Sequence, residues 1–177
     1  MKKILISTSN FIDQTNEHIG KAVSWLTLFM VLIMFAIVLM RYAFNEGSIA
    51  IQESVMYMHA MVFMLGAAFT LKRNGHVRVD IFYNKMSERK KSLVNFLGNL
   101  FLLFPVCIFI FWSSWEYVLE AWRIKEASRE AGGLPWTYIL KTSILCMATL
   151  LILQAFADIL RNLMGLFDNP THKALDS

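Results

Sequence analysis

Seven Lys and Arg side chains crowd the stretch LKRNGHVRVDIFYNKMSERKK from Leu71 to Lys91, and two long apolar runs lie on each side of it. Lys72, Arg73, Arg78, Lys85, Arg89, Lys90 and Lys91 cannot rest in hydrocarbon. The stretch must therefore lie outside a bilayer while its flanks cross one. With 56% hydrophobic and 17% charged residues, the chain is more apolar than a soluble domain, in which about a quarter of residues are charged. The charges are clustered, as the loops of a polytopic membrane protein require. The net charge of +4 is then explained by loops facing anionic headgroups, which removes the case for a nucleic-acid partner.

The predicted fold class is an all-α membrane protein with four transmembrane helices, forming a single integral-membrane domain over residues 1–177. The spans fall at about 22–41, 53–71, 93–115 and 136–160, with the basic loop at 72–91. Each run approaches the roughly 20 residues that a bilayer core demands. Trp25, Trp112, Trp115 and Trp136 stand near span ends, where amphipathic rings prefer to sit. Before the first span, Phe11, Ile12, Thr15 and Ile19 recur at helical spacing with Asp13, Asn16 and Glu17 opposite. That pattern fits an amphipathic helix lying on the membrane surface; a flexible tail fits the same residues. The apolar part of the N-terminus ends at Ser7, too short for a signal peptide, so the first span is expected to target the chain.

Pro105 lies inside the third span and denies Phe101 its usual hydrogen-bond partner, so a kink is expected there. Trp115, Val118, Leu119 and Trp122 extend the helical stripe past the membrane, giving an extended third helix with one face on headgroups or a partner, ended by Gly132-Gly133-Leu134-Pro135. Asp158 and Arg161 stand one turn apart and can pair. About twelve Lys and Arg fall on the side of the termini and basic loop against about five on the other. Both termini are thereby expected in the cytoplasm.

Little in the sequence carries catalysis. His59 is the single mid-span His, whereas a transmembrane haem needs two facing each other; packing is its expected role, with an intramembrane ionisable group leaving a functional one open. Cys107 and Cys146 sit in apolar runs without CxxC spacing, so no metal site or disulfide is expected. No GxSxG, HExxH or phosphate loop is present, and neither an enzyme nor a cofactor is expected. Arg41 and Glu53 close and open neighbouring spans across a short linker and are expected to meet each other or a partner. Gly66-Ala67-Ala68 offers a surface for close helix packing. Residues alone thus indicate an accessory membrane subunit; a self-sufficient small homo-oligomeric transporter or channel is the alternative.

Several short segments stand in a definite order: Arg41 at the end of the first span, Glu53-Ser54 opening the second, Gly66-Ala67-Ala68, then Gly75-His76-Val77-Arg78-Val79-Asp80. Trp122-Arg123-Ile124-Lys125-Glu126-Ala127-Ser128 follows, then Gly132-Gly133-Leu134-Pro135, Lys141 and Gln154. From the first span to Arg161 this arrangement resembles the small permease subunit, DctQ type, of the tripartite ATP-independent periplasmic (TRAP) transporters. The resemblance implies a chain that binds and scaffolds a large permease subunit in the bacterial inner membrane and helps dock a periplasmic solute receptor. It implies sodium-driven organic-acid uptake, with the transport sites in the large subunit. It makes His76, Arg78 and Asp80 a lock for the basic loop, Gly132, Gly133 and Pro135 a turn into span four, and Arg41, Glu53, Gly66, Ala67, Glu126, Lys141 and Gln154 structural or partner contacts.

Overall fold

The computed structural model describes residues 2–76 and 83–167, and among these every regular element is helical. Helix α1 is Lys2–Ala43, α2 is Ile49–Lys72 and α3 is Glu88–Gly98; a π-helical turn, Asn99–Leu103, leads into α4, Phe104–Arg123, and α5 is Thr137–Phe167. α3, the π turn and α4 form one continuous helix over Glu88–Arg123, so four helices are long and apolar enough to cross a membrane. The chain is therefore an all-α, multi-pass membrane protein. α5 is the hub, packing on α1, α2, α3 and α4, while α1 and α2 form an antiparallel pair on one side of it. The core is built largely of small side chains: Ala68, Cys107, Ala121, Ala148, Ala155 and Ala157 are each at most 1% exposed. Small residues let backbones approach where lipid gives apolar side chains no reason to leave it.

The third membrane helix absorbs its proline in a particular way. Pro105 has no N–H, and its ring opposes the carbonyl four residues back. The helix widens just before it, with the Phe104 N–H bonded to the Asn99 carbonyl five residues away. Where the kink is expected the helix carries a π turn, which inserts a residue without ending the helix. The extension beyond the span is present as expected, with its stripe divided: Val118 is buried and Trp122 Nε1 donates to Thr142 Oγ1 of α5 at 2.8 Å, while Trp115 and Leu119 are exposed. The helix also stops well before the Gly-Gly turn. Lys125 takes a left-handed conformation (φ 50°), with its N–H on the Trp122 carbonyl and the Glu126 N–H on the Ala121 carbonyl, a Schellman closure normally made with glycine. Stacking of Lys125 Nζ over the Trp122 and Tyr138 rings, at 4.8 and 5.1 Å, holds a lysine there.

The N-terminal segment departs from the expected surface helix. It is the first part of α1, a single helix of 42 residues that is roughly 63 Å long at 1.5 Å per residue. Its polar face also turns the other way. Ser9, Ile12, Asn16 and Gly20 are buried against the bundle, while Phe11 is 71% exposed. The four buried positions recur three and four residues apart, so they form one stripe. Gly20 is needed where it stands: a Cβ there would lie 2.6 Å from the Phe69 Cβ. Gly66, the glycine singled out from the sequence, has nothing within 4 Å of an added Cβ. We therefore expect Gly20→Leu to lower the unfolding temperature in detergent, at a cost of about 1–3 kcal/mol typical of overpacking, while Gly66→Leu leaves it unchanged. Equal melting of the two variants would contradict this packing.

Candidate functional site

Two polar networks tie the helices together, one at each end of the bundle. At the end carrying the start of α1, Gln154 of α5 has no exposed surface. Asn16 Nδ2 donates to Gln154 Oε1 at 2.7 Å, and Gln154 Nε2 donates to Asp13 Oδ1 at 3.0 Å. Arg161 closes the ring by pairing with both Asp13 and Asp158. Ser9 Oγ donates to the Ala157 carbonyl at 3.3 Å. α2 joins the same end through Lys72, whose Nζ lies 2.8 Å from Glu17 Oε2 and 3.1 Å from the Asp13 carbonyl oxygen, and through Arg73, which also pairs with Glu17. A carboxylate here serves two or more cations or donors, and charge-assisted bonds of this kind are roughly twice as strong as neutral ones.

At the opposite end the organiser is Glu53, in the first turns of α2. Its Oε1 accepts from the Ser128 hydroxyl, and its Oε2 accepts the Leu134 N–H at 2.6 Å. The loop from α4 to α5 is folded around this carboxylate. Ser128 N–H bonds the Leu134 carbonyl at 2.9 Å, and Gly133 N–H bonds the Glu130 carbonyl at 3.0 Å. Gly132 takes φ +80°, and a Cβ on Gly133 would fall 2.6 Å from Ser128 Cβ and 2.8 Å from Glu53 Oε2. The two glycines thus have separate causes, a left-handed turn and the approach of the carboxylate. Beside this clasp Lys141 pairs with Glu126 and lies 3.9 Å from the centre of the Tyr117 ring, and Tyr57 Oη sits 3.1 Å from Thr137 Oγ1. A cleft of ≈ 290 Å³ remains between these groups. With Glu53, Glu126 and Lys141 each engaged by the chain itself, the arrangement holds helices and offers no activated nucleophile.

The sequence-derived candidates divide accordingly. Glu53, Gly132, Gly133, Glu126, Lys141 and Gln154 fall in the two networks, and Pro135 precedes α5 in the same loop. The expected Arg41–Glu53 contact is not formed: Glu53 is taken by Ser128 and Leu134, and exposed Arg41 has no ion pair among the described residues. The pairing of Asp158 with Arg161 is present, widened to Asp13. Ala67 is half-buried on α2, and His76 is exposed just past its end. Arg78 and Asp80, and so most of the proposed loop lock, lie outside the described residues. Asp13, Asn16, Glu17, Gly20 and Ser128 are not among the sequence-derived candidates; the signal of the first three is polar residues on one helical stripe, which reads equally well as a solvated face, and Ser128 in its loop carries none.

His59 is exposed on α2 within its span, and so does not pack inside this chain. Among the described residues no three His, Cys, Asp or Glu side chains come together as a metal site would need. Removing the organising carboxylate should loosen the loop. We expect Glu53→Leu to leave the Leu134 N–H and Ser128 hydroxyl without an acceptor, at a cost of about 1–3 kcal/mol, and to expose residues 124–136 to limited proteolysis in detergent. Unchanged protease resistance would contradict the clasp.

Comparison with known proteins supplies the family. Residues 30–165 match the family model described as tripartite ATP-independent periplasmic transporters, DctQ component. The chain is 34% identical over 89 residues to the C4-dicarboxylate TRAP transporter small permease protein DctQ of Vibrio cholerae, covering 50% of this chain and 38% of that one. It is 29% identical over 109 residues to a protein of Haemophilus influenzae named as a TRAP transporter small permease, covering 62% and 65%. It is also 31% identical over 99 residues to the sialic acid TRAP transporter permease protein SiaT of Haemophilus influenzae, covering 54% of this chain and 16% of that protein. In each case the chain spans less than two thirds of the relative's length. No solved structure matches the chain. With four membrane-length helices and a family match over most of its length, the chain belongs to the DctQ family of TRAP transporter small permease components, a transporter part and not an enzyme.

Proposed function

We propose that this chain is the stationary membrane partner of a large TRAP permease subunit in the bacterial inner membrane, and that the assembly imports an organic acid on the sodium gradient after delivery by a periplasmic receptor. The observation that carries the reading is the double locking of the bundle. Gln154 with Asn16, Asp13 and Arg161 fastens one end, and Glu53 with Ser128 and Leu134 fastens the other. A scaffold against which another subunit moves must resist deformation, and networks closed at both ends supply that resistance. Trp25, Trp112, Trp115 and Trp136 are all at least 44% exposed, as membrane anchors are. The names of the relatives, a C4-dicarboxylate and a sialic acid transporter, support an acidic substrate class.

The excess of Lys and Arg on the side of the termini and basic segment supports a cytoplasmic placement for that end. The clasp end then faces the periplasm, where Glu116, Glu120, Arg123, Arg129 and Glu130 are exposed to a receptor. Exposed pairs such as Arg123–Glu120, at 2.6 Å, stabilise the chain little and remain free to rearrange on docking.

Affinity purification in mild detergent tests the reading. The tagged chain is expected to bring down a large hydrophobic permease, and Gly66→Leu to reduce the yield severalfold. Because a Cβ at Gly66 meets nothing within 4 Å among the described residues, such a loss reports contact with the partner and not misfolding. Full copurification with normal transport by the Gly66→Leu complex would remove Gly66 from the interface; no copurified permease from the unaltered chain would refute the scaffold reading.

A further inference from the structure

Between Ile49 and Lys72 the exposed residues of α2 are Ile49, Gln52, Met56, His59 and Phe63. Their spacing of three, four, three and four residues places them on one narrow seam, and three further residues along stands Gly66, open on its outer side. This 3–4 alternation is the pattern by which one helix receives another in left-handed packing, in water and in membranes alike. Among the described residues none covers that seam. A groove of ≈ 640 Å³ runs beside it, bounded across from α2 by Met34 and Arg41 of α1.

The chemistry of the seam does not match lipid. His59 lies ten residues into α2, about 15 Å along the helix and so near the middle of a bilayer core roughly 30 Å thick. Neither its ring nor the Gln52 amide has a hydrogen-bond partner among the described residues, and Arg41 at the mouth of the groove has no ion pair there. Elsewhere in the spans the ionisable groups Glu53, Lys141 and Asp158 are all engaged within the chain. The exposed face of α4 shows the contrast. Val106 and Phe109 are 53% and 69% exposed, Leu102 of the π turn before them is 69% exposed, and none of the three carries a polar group. Ionisable side chains inside a membrane face protein, because lipid cannot supply their hydrogen bonds.

We infer that the α2 seam from Ile49 to Gly66 is the docking line for one transmembrane helix of the large permease subunit, which presents a hydroxyl, amide or carboxylate side chain level with His59. The inference rests on the scaffold reading above and names the surface that reading needs. A permease helix is favoured as occupant by SiaT, in which the region similar to this chain makes up 16% of a longer permease chain. His59 fixes depth, Gln52 and Arg41 fix the outer end, and Gly66 permits close approach at the inner end.

The test is site-specific photocrosslinking in membranes, with a benzophenone amino acid at Met56 or Met34 and, as controls, at Phe109 or Leu102. The large permease should be captured from Met56 and Met34 and not from Phe109 or Leu102. His59→Phe should weaken the purified complex roughly three- to tenfold, as for the loss of one interhelical hydrogen bond in a membrane, and His59→Gln should retain most of it. An intact complex that crosslinks through Phe109 or Leu102 but not through Met56 or Met34 overturns this inference alone. A chain that copurifies with no permease overturns the scaffold reading and this inference together. Capture of a second copy of this chain from Met56 overturns the inference in favour of self-association.

Discussion

Hydrocarbon gives a polar side chain no water to fall back on, so each one inside the bundle must be answered by another part of the protein. Gln154 is where this constraint acts most strongly. It is fully buried at the junction of α5 with α1, and its amide is matched on both sides, accepting from Asn16 and donating to Asp13. The match fixes the register of α1 on α5, since a one-residue rotation would turn Asn16 away by about 100°. Once α1 is set, Glu17 meets Lys72 and Arg73, and the end of α2 is set as well. Glu53 repeats the principle at the other end, where a carboxylate that cannot stand alone is satisfied by a loop from between the last two helices.

These networks divide the surface into two kinds. Where polar groups are answered internally, the remaining exterior is apolar and suits lipid, as on α4. On the seam of α2, Gln52 and His59 have no side-chain hydrogen-bond partner among the described residues, and such an exterior suits another protein better than lipid. A small subunit of a transport complex needs both, one face for the bilayer and one for its partner. The proposed division of labour, with substrate handled by the partner, agrees with a bundle in which Asp13, Glu17, Glu53, Glu126 and Asp158 are occupied in holding helices.

Much of the fold was legible in the sequence because span length, charge clusters and small residues are local signals. The four spans, the extension of the third helix and the pairing of Asp158 with Arg161 all follow from residues at most a few turns apart. What escaped depends on distant partners. Glu53 looks toward Arg41 in sequence, yet its partners lie 75 and 81 residues away, in a loop that the Gly132–Pro135 punctuation marks without saying what it encloses. The N-terminal helix was read with its faces exchanged for a related reason. Asp13, Asn16 and Glu17 look like a solvated face until Gln154, Arg161 and Lys72 are brought opposite them. Gly20 and Gly66 are indistinguishable as letters; only Phe69 beside one and open space beside the other separate them.

In the proposed role this chain holds a transporter in place without moving substrate itself. Reconstitution into liposomes under an inward sodium gradient tests it most directly, with labelled organic acid and periplasmic receptor supplied outside. The account predicts no uptake with this chain alone, none or little with the large permease alone, and gradient-dependent uptake when the two are combined. Uptake by liposomes containing only this chain would contradict it and favour a self-sufficient homo-oligomeric carrier.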